Sequence, residues 1–159
     1  SIAFALEQRL FELGCLPHVL DGGNLRHSVS RDLGFTGTER AENVRRAAGV
    51  ARICCDAGLI TIAAFVSPFA EDRRRVREAM GEHAFLEVHV ATPLDACEKR
   101  DTDGLYEKAR RGEIPDFSGI TAPYEAPETR DLSLSTEELD LASCVDQVVD
   151  LLRRRDLLG

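Results

Sequence analysis

The sequence predicts an α/β fold of three layers, a parallel sheet with helices on both faces. Short apolar strand candidates alternate with stretches of helical periodicity along the whole chain, at the spacing of successive strand–helix units. Leu59 to Val66 is an apolar run broken only by Thr61, the pattern of a strand covered on both faces.

The elements follow in order. Ile2, Leu6, Leu10 and Leu13 fall on one stripe at helical spacing, so a helix opens the chain at Ser1 and stops at Gly14. A domain of this class should begin with a strand, so the 159 residues are expected to form one domain of a longer polypeptide, without its first strand. Leu16 to Leu20 reads as a short buried strand that ends in Asp21-Gly22-Gly23-Asn24. Val44, Ala47, Ala51 and Cys54 recur at three- and four-residue steps and predict a helix from Glu39 to Ala57, closed by Gly58. After the apolar run and the Ser67-Pro68 break come a helix from Glu71 to Met80 and a strand from Phe85 to Val90. Short helices follow at Pro93 to Lys99 and Leu105 to Arg111, then a last strand at Leu132 to Leu134. The closing helix, Ala142 to Arg154, turns Val145, Val148, Val149 and Leu152 inward. Residues 101–130 hold three glycines and three prolines around one short helix and form the candidate lid.

Composition narrows the function classes. With 43% hydrophobic and 30% charged residues the chain suits one globular domain with one core. A net charge of -8 argues against a nucleic acid partner, which normally calls for a basic surface. No apolar run approaches the ~20 residues of a membrane span, and no leader opens the chain, so a cytoplasmic protein is expected. Five cysteines without metal-ligand spacing read as free, buried, small hydrophobes.

Ligands in such sheets bind beyond the carboxyl ends of the strands, which points to Asp21-Gly22-Gly23-Asn24, to Val66-Ser67-Pro68 and to the segment after Val90. Asp21 closes a strand before two glycines, so its carboxylate can face a ligand or metal; a plain tight turn fits the tetrapeptide equally. Ser67 brings its hydroxyl out at the same edge, or serves as a helix N-cap. Arg26 and Arg40 flank this edge, and guanidinium groups grip phosphate or sulfate through paired hydrogen bonds. Phe35 and Phe117 sit in polar, glycine-containing loops, where they either sandwich a planar base or plug the loops onto the domain. The runs Arg73-Arg74-Arg75 and Arg153-Arg154-Arg155 read as solvated helix faces.

These segments together resemble the adenylylsulfate (APS) kinase family from the opening helix to about Glu138. The resemblance rests on Leu20-Asp21-Gly22-Gly23-Asn24-Leu25-Arg26, Asp32-Leu33-Gly34-Phe35, Arg40-Ala41-Glu42-Asn43-Val44-Arg45, Phe65-Val66-Ser67-Pro68-Phe69, Gly104-Leu105-Tyr106, Phe117-Ser118-Gly119-Ile120 and Tyr124-Glu125-Ala126-Pro127. It implies a P-loop kinase fold and transfer of the γ-phosphoryl group of Mg-ATP to the 3'-hydroxyl of APS, giving PAPS. It implies that Gly23, Asn24, Arg26, Phe35, Arg40, Asn43, Val66, Ser67 and Phe117 bind APS, with the two phenylalanines on its adenine. Asp21 would hold Mg2+, Ser67 and Asp21 would be the catalytic pair, and Arg100 and Lys108 would serve the lid and nucleotide. Fusion to, or association with, ATP sulfurylase and a homo-oligomer are also implied.

Three departures from the family pattern stand out. Gly23 replaces the second aspartate of the D-G-D-N motif, Asp103 replaces a lysine of the lid, and no G-x-x-x-x-G-K-[ST] loop occurs in these residues. That loop is expected immediately before Ser1. The departures leave an alternative function, a catalytically weak domain that binds APS or PAPS and regulates a fused or partner ATP sulfurylase.

Overall fold

The computed structural model describes residues 1–158. Helix α1 (Ile2–Glu12) buries Leu6 and Leu10 against α7 (Leu141–Arg154), which contributes Cys144, Val145, Val148, Val149 and Leu152 to the same cluster. The last helix starts where Asp140 accepts the backbone N–H of Ser143, a side-chain N-cap.

Strand β1 (Pro17–Asp21) runs parallel to β2 (Ile60–Ala64), with Asp21 opposite Ala64. Strand β3 (Val88–Val90) runs parallel to β4 (Leu132–Leu134). Among the described residues the four strands therefore make two parallel pairs, not one continuous ladder. Ile60, Ile62, Val88, Leu132 and Leu134 all pack toward α1 and α7. On the other side α3 (Gly37–Asp56) and α4 (Ala70–Met80) pack against Leu20, Phe65 and Phe85. Helices thus cover two faces of the strands, the expected three layers.

Some boundaries differ from the sequence expectation for local reasons. The apolar run 59–66 yields a five-residue strand in which Ala63 is exposed, so coverage on both faces is incomplete, and Val66 beyond its end is exposed as well. Strand β3 begins three residues late because the Phe85 carbonyl and ring are taken by Arg77, whose guanidinium lies 4.6 Å from the ring centroid. The Asp131 side chain likewise accepts the Glu87 N–H. Two short helices, α5 (Leu94–Lys99) and α6 (Leu105–Arg110), stand where expected.

An additional helical turn, α2 (Gly22–Arg26), occupies the double-glycine segment. All five cysteines are free; only Cys144 is fully buried and the others are half-buried. No helix among the described residues is long and apolar enough to cross a membrane.

Candidate functional site

Asp21 ends β1 and caps α2. Its Oδ1 accepts the Asn24 backbone N–H at 2.8 Å and its Oδ2 accepts the Asn24 side-chain amide at 2.9 Å. The two readings of the tetrapeptide are therefore one structure: the carboxylate that makes the turn also stands at the strand's carboxyl end. Each oxygen keeps a second lone pair, so Asp21 fits a role as one carboxylate ligand to Mg2+. A Cβ at Gly23 would lie 3.1 Å from Asp21 Oδ1, so a side chain there has to share space with that carboxylate.

Arg26, at the end of α2, reaches back over the loop that follows. Its Nη1 donates to the carbonyls of Leu33 and Gly34, and its guanidinium carbon stands 4.2 Å from the centroid of the Phe35 ring. Phe35 is 59% exposed, yet its backbone is pinned from both sides. Glu39 accepts the N–H groups of Gly34 and Thr36 and the Thr36 hydroxyl, while Thr36 caps α3 in return. These donors hold the Glu39 carboxyl below its ordinary range, the Thr36 hydroxyl first and the Gly34 N–H next. A Cβ at position 34 would sit 2.8 Å from Glu39 Oε2, so a side chain there would push aside the carboxylate that holds this loop. The exposed Phe35 ring thus stands on a backbone held from both sides, with Arg26 over one face.

Arg40 joins the two aromatic loops. Its Nε donates to the Phe35 carbonyl at 2.9 Å and its Nη2 to the Asp116 carbonyl at 3.1 Å, across 76 residues of sequence. Burial, and then the nearby charge of Arg26, lower its pKa from the ordinary arginine value. Asp116 has φ +53, a left-handed conformation that turns the chain into Phe117. The Phe117 ring meets Tyr106 of α6 edge-on at 5.1 Å. Asn43 lies one turn along α3 from Arg40; it is 4% exposed and its Oδ1 has no hydrogen-bond partner, an unused acceptor beside the site.

Ser67 follows β2 with φ +35, a strained conformation for a residue with a side chain. It does not cap α4, whose N-cap is Phe69. Val66 beside it is 54% exposed. The structure therefore brings Arg26, Phe35, Arg40 and the Asp116-Phe117 turn into direct contact, with Asp21, Gly23 and Asn24 on the turn that leads into Arg26.

Arg100 and Lys108 are not joined to that group. Arg100 donates to the hydroxyl and carbonyl of Thr136 beyond β4, and lines a separate cavity of about 380 Å³ with Ser1, Thr136, Asp140 and Cys144. Lys108 is exposed on α6, and Asp103 is exposed in the turn that Asp101 organises ahead of it.

One expectation needs correction. Arg73 is not on a solvated face: its side chain is 11% exposed, whereas those of Arg74 and Arg75 are 55% and 67% exposed and pair with Glu71. The signal was present, since Arg73, Val76 and Met80 follow helical spacing toward the core side of α4. Glu39 was the other omission, legible in the capping-box pattern Thr36-Gly37-Thr38-Glu39.

The family model for adenylylsulphate kinase matches residues 1–135. The chain belongs to this family. An adenylyl-sulfate kinase of Shewanella amazonensis is 52% identical over 152 residues, 96% of this chain and 77% of that protein. The solved structure of the Mycobacterium tuberculosis APS kinase CysC in complex with AMPPNP and APS superimposes with a TM-score of 0.93 at 42% identity, covering 96% of this chain and 89% of that one. The bifunctional enzyme NodQ of Rhizobium tropici is 50% identical over 155 residues, 98% of this chain and 24% of that protein. The adenylylsulfate kinase fold thus frames the Phe35, Arg40 and Phe117 group at one end of its strands.

Proposed function

We propose that this domain is an ATP-dependent kinase that phosphorylates the 3'-hydroxyl of adenylylsulfate to give PAPS. The observation that carries the reading is Arg40, one guanidinium that fastens two loops bearing aromatic rings while Arg26 lies over one of those rings. A planar base stacks on Phe35 and Phe117, and Arg26 and Arg40 supply positive charge for the sulfate and phosphate of the same ligand. The buried, unpartnered Asn43 Oδ1 adds an acceptor for a ligand donor.

Phosphoryl transfer depends mainly on positioning and charge neutralisation. The 3'-oxygen forms the new bond to the γ-phosphorus as the bond to the bridging oxygen of ADP breaks, and the hydroxyl proton leaves to solvent or a carboxylate. In this reading Asp21 holds Mg2+, which when bound offsets charge on the ATP phosphates. Ser67 and Val66, at the end of β2, position the acceptor, and direct in-line transfer needs no phosphoserine. Residues 101–130 act as the lid that excludes water, with Arg100 and Lys108 toward the nucleotide. The resemblance to a bifunctional enzyme of which the chain spans 24% supports a fused setting, for which we name ATP sulfurylase, the activity that makes APS. Five unpaired thiols support a reducing, cytoplasmic compartment. Phe4 and Phe11, 48% and 69% exposed and seven residues apart on α1, offer apolar surface for a homo-oligomer; light scattering at the mass of one copy would remove that part.

The test is PAPS formation from ATP, Mg2+ and APS by the natural polypeptide that carries this domain. Turnover is expected, with Arg40→Ala lowering kcat/KM for APS. In calorimetry Phe117→Ala is expected to weaken APS binding by about 1–3 kcal/mol. APS binding without turnover would overturn the kinase reading in favour of a binding module, and absence of APS binding would overturn both.

A further inference from the structure

We infer that Arg73 is a positioning residue that latches the returning arm of the 101–130 segment onto the Ser67 turn, so that closure of that segment and the placement of the acceptor site are one event. The inference deepens the kinase reading and rests on it for its functional consequence.

The guanidinium of Arg73 serves three parts of the chain at once. Nη1 donates to the Ser67 carbonyl at 2.7 Å and Nη2 to the Glu125 carbonyl at 2.7 Å. Nε lies 3.1 Å from Glu87 Oε1, and both side chains are nearly buried, at 11% and 16% exposure. Glu87 comes from the residue just before β3, so the latch is anchored to the strand layer and not to another loop. Its charge offsets that of Arg73 in a site with little water without a hydrogen bond between them, so the bonds to the two carbonyls set the orientation of the fork.

Glu125 returns the connection. Its backbone N–H donates to the Pro68 carbonyl at 2.8 Å, and its carboxylate accepts the Ala70 N–H at 2.6 Å. Ala70 is the first residue of α4, and Phe69, its N-cap, offers no side-chain hydrogen bond. Glu125 thus caps the helix that carries Arg73 from 55 residues away, with favourable charge at a helix N-terminus. Tyr124 beside it lies over the His89 ring of β3 at 6.2 Å.

Ser67 gives the arrangement its consequence. Its φ of +35 is strained and persists only where the surroundings hold it, and its carbonyl is held by Arg73. Releasing the Glu125 arm removes one of the two carbonyls that orient the guanidinium, so the Ser67 turn loses its support when the segment opens. Only a planar fork spans both carbonyls and the carboxylate. A lysine keeps the charge beside Glu87 but makes a single flexible contact.

The experiment pairs Arg73→Lys with hydrogen exchange and steady-state kinetics on the natural polypeptide. Backbone amides of residues 117–125 and 67–70 are expected to lose protection together in the ligand-free protein, while α1 and α7 keep theirs. KM for APS is expected to rise about 10- to 100-fold with a smaller change in KM for ATP. Glu125→Ala, which removes the carboxylate on the Ala70 N–H and keeps both backbone contacts of residue 125, is expected to show the same exchange pattern to a smaller degree and stands in if Arg73→Lys does not fold. Unchanged exchange in either segment, or deprotection spread evenly over the domain with both KM values raised alike, would overturn the latch. The exchange measurement needs no substrate, so a parent protein that fails to bind APS would sink the kinase reading and still leave the latch decided.

Discussion

Single side chains at this site are positioned by backbone chemistry more than by one another. Phe35 is held by hydrogen bonds to the N–H groups on either side of it, and Arg40 reaches carbonyls, not carboxylates. The resemblance could name Phe35 and Arg40 as ligand contacts, yet the pinning of the loop required the fold. His89 illustrates a residue whose state the structure decides. Burial, followed by the charges of Arg130 and Arg73, lowers its pKa from the ordinary 6.5, against a smaller opposing effect of Glu87. Above the unfolded value the imidazole is neutral in both states. As pH falls below it the unfolded chain binds a proton that the folded chain refuses, so stability is lost toward the folded pKa. His89→Phe keeps a ring over Tyr124 and is expected to flatten the fall of Tm between about pH 7 and pH 5. A slope identical to that of the parent would assign the acid sensitivity to other groups.

At the scale of elements, caps explain where helices begin and why the loops before them are ordered. The capping box at Thr36 and Glu39 moves the start of α3 to Gly37, two residues before the periodicity begins, and fixes the Phe35 loop with the same atoms. Thr36→Ala should destabilise the domain by about 1 kcal/mol, with a Tm lower by roughly 2–4 °C, and should also weaken APS binding. Full stability in thermal unfolding, or lost stability with unchanged APS affinity, would separate the helix from the loop. Periodicity placed α1, α3, α4 and α7 because each has one face to bury. It missed α2, a turn of helix made by Asp21 and Asn24 through two glycines that carry no periodic signal. It also placed Arg73 among solvated arginines, because three identical residues in a row conceal the one that rotation around the helix turns inward.

For the whole molecule the main cohesion is the cluster that joins α1 and α7 across β3 and β4. Leu10, Leu134, Cys144 and Val149 are its least exposed members. Leu10→Ala is expected to cost about 2–5 kcal/mol in denaturant unfolding, because it removes methylenes and leaves a cavity between two helices and a strand pair. A loss near that of an exposed position, within about 0.5 kcal/mol, would show that α1 docks loosely. The alternation of helix and strand, the inward faces of the long helices, and the residue blocks that mark the adenylylsulfate kinase family are legible along the chain, because periodicity and short motifs are local properties. It took the folded arrangement to show that Arg40 ties Phe35 to the Asp116-Phe117 turn and that Arg73 joins Ser67, Glu87 and Glu125. Those contacts span from 5 to 76 residues of chain, and a hydrogen bond depends on where two groups meet in space, which no local pattern encodes.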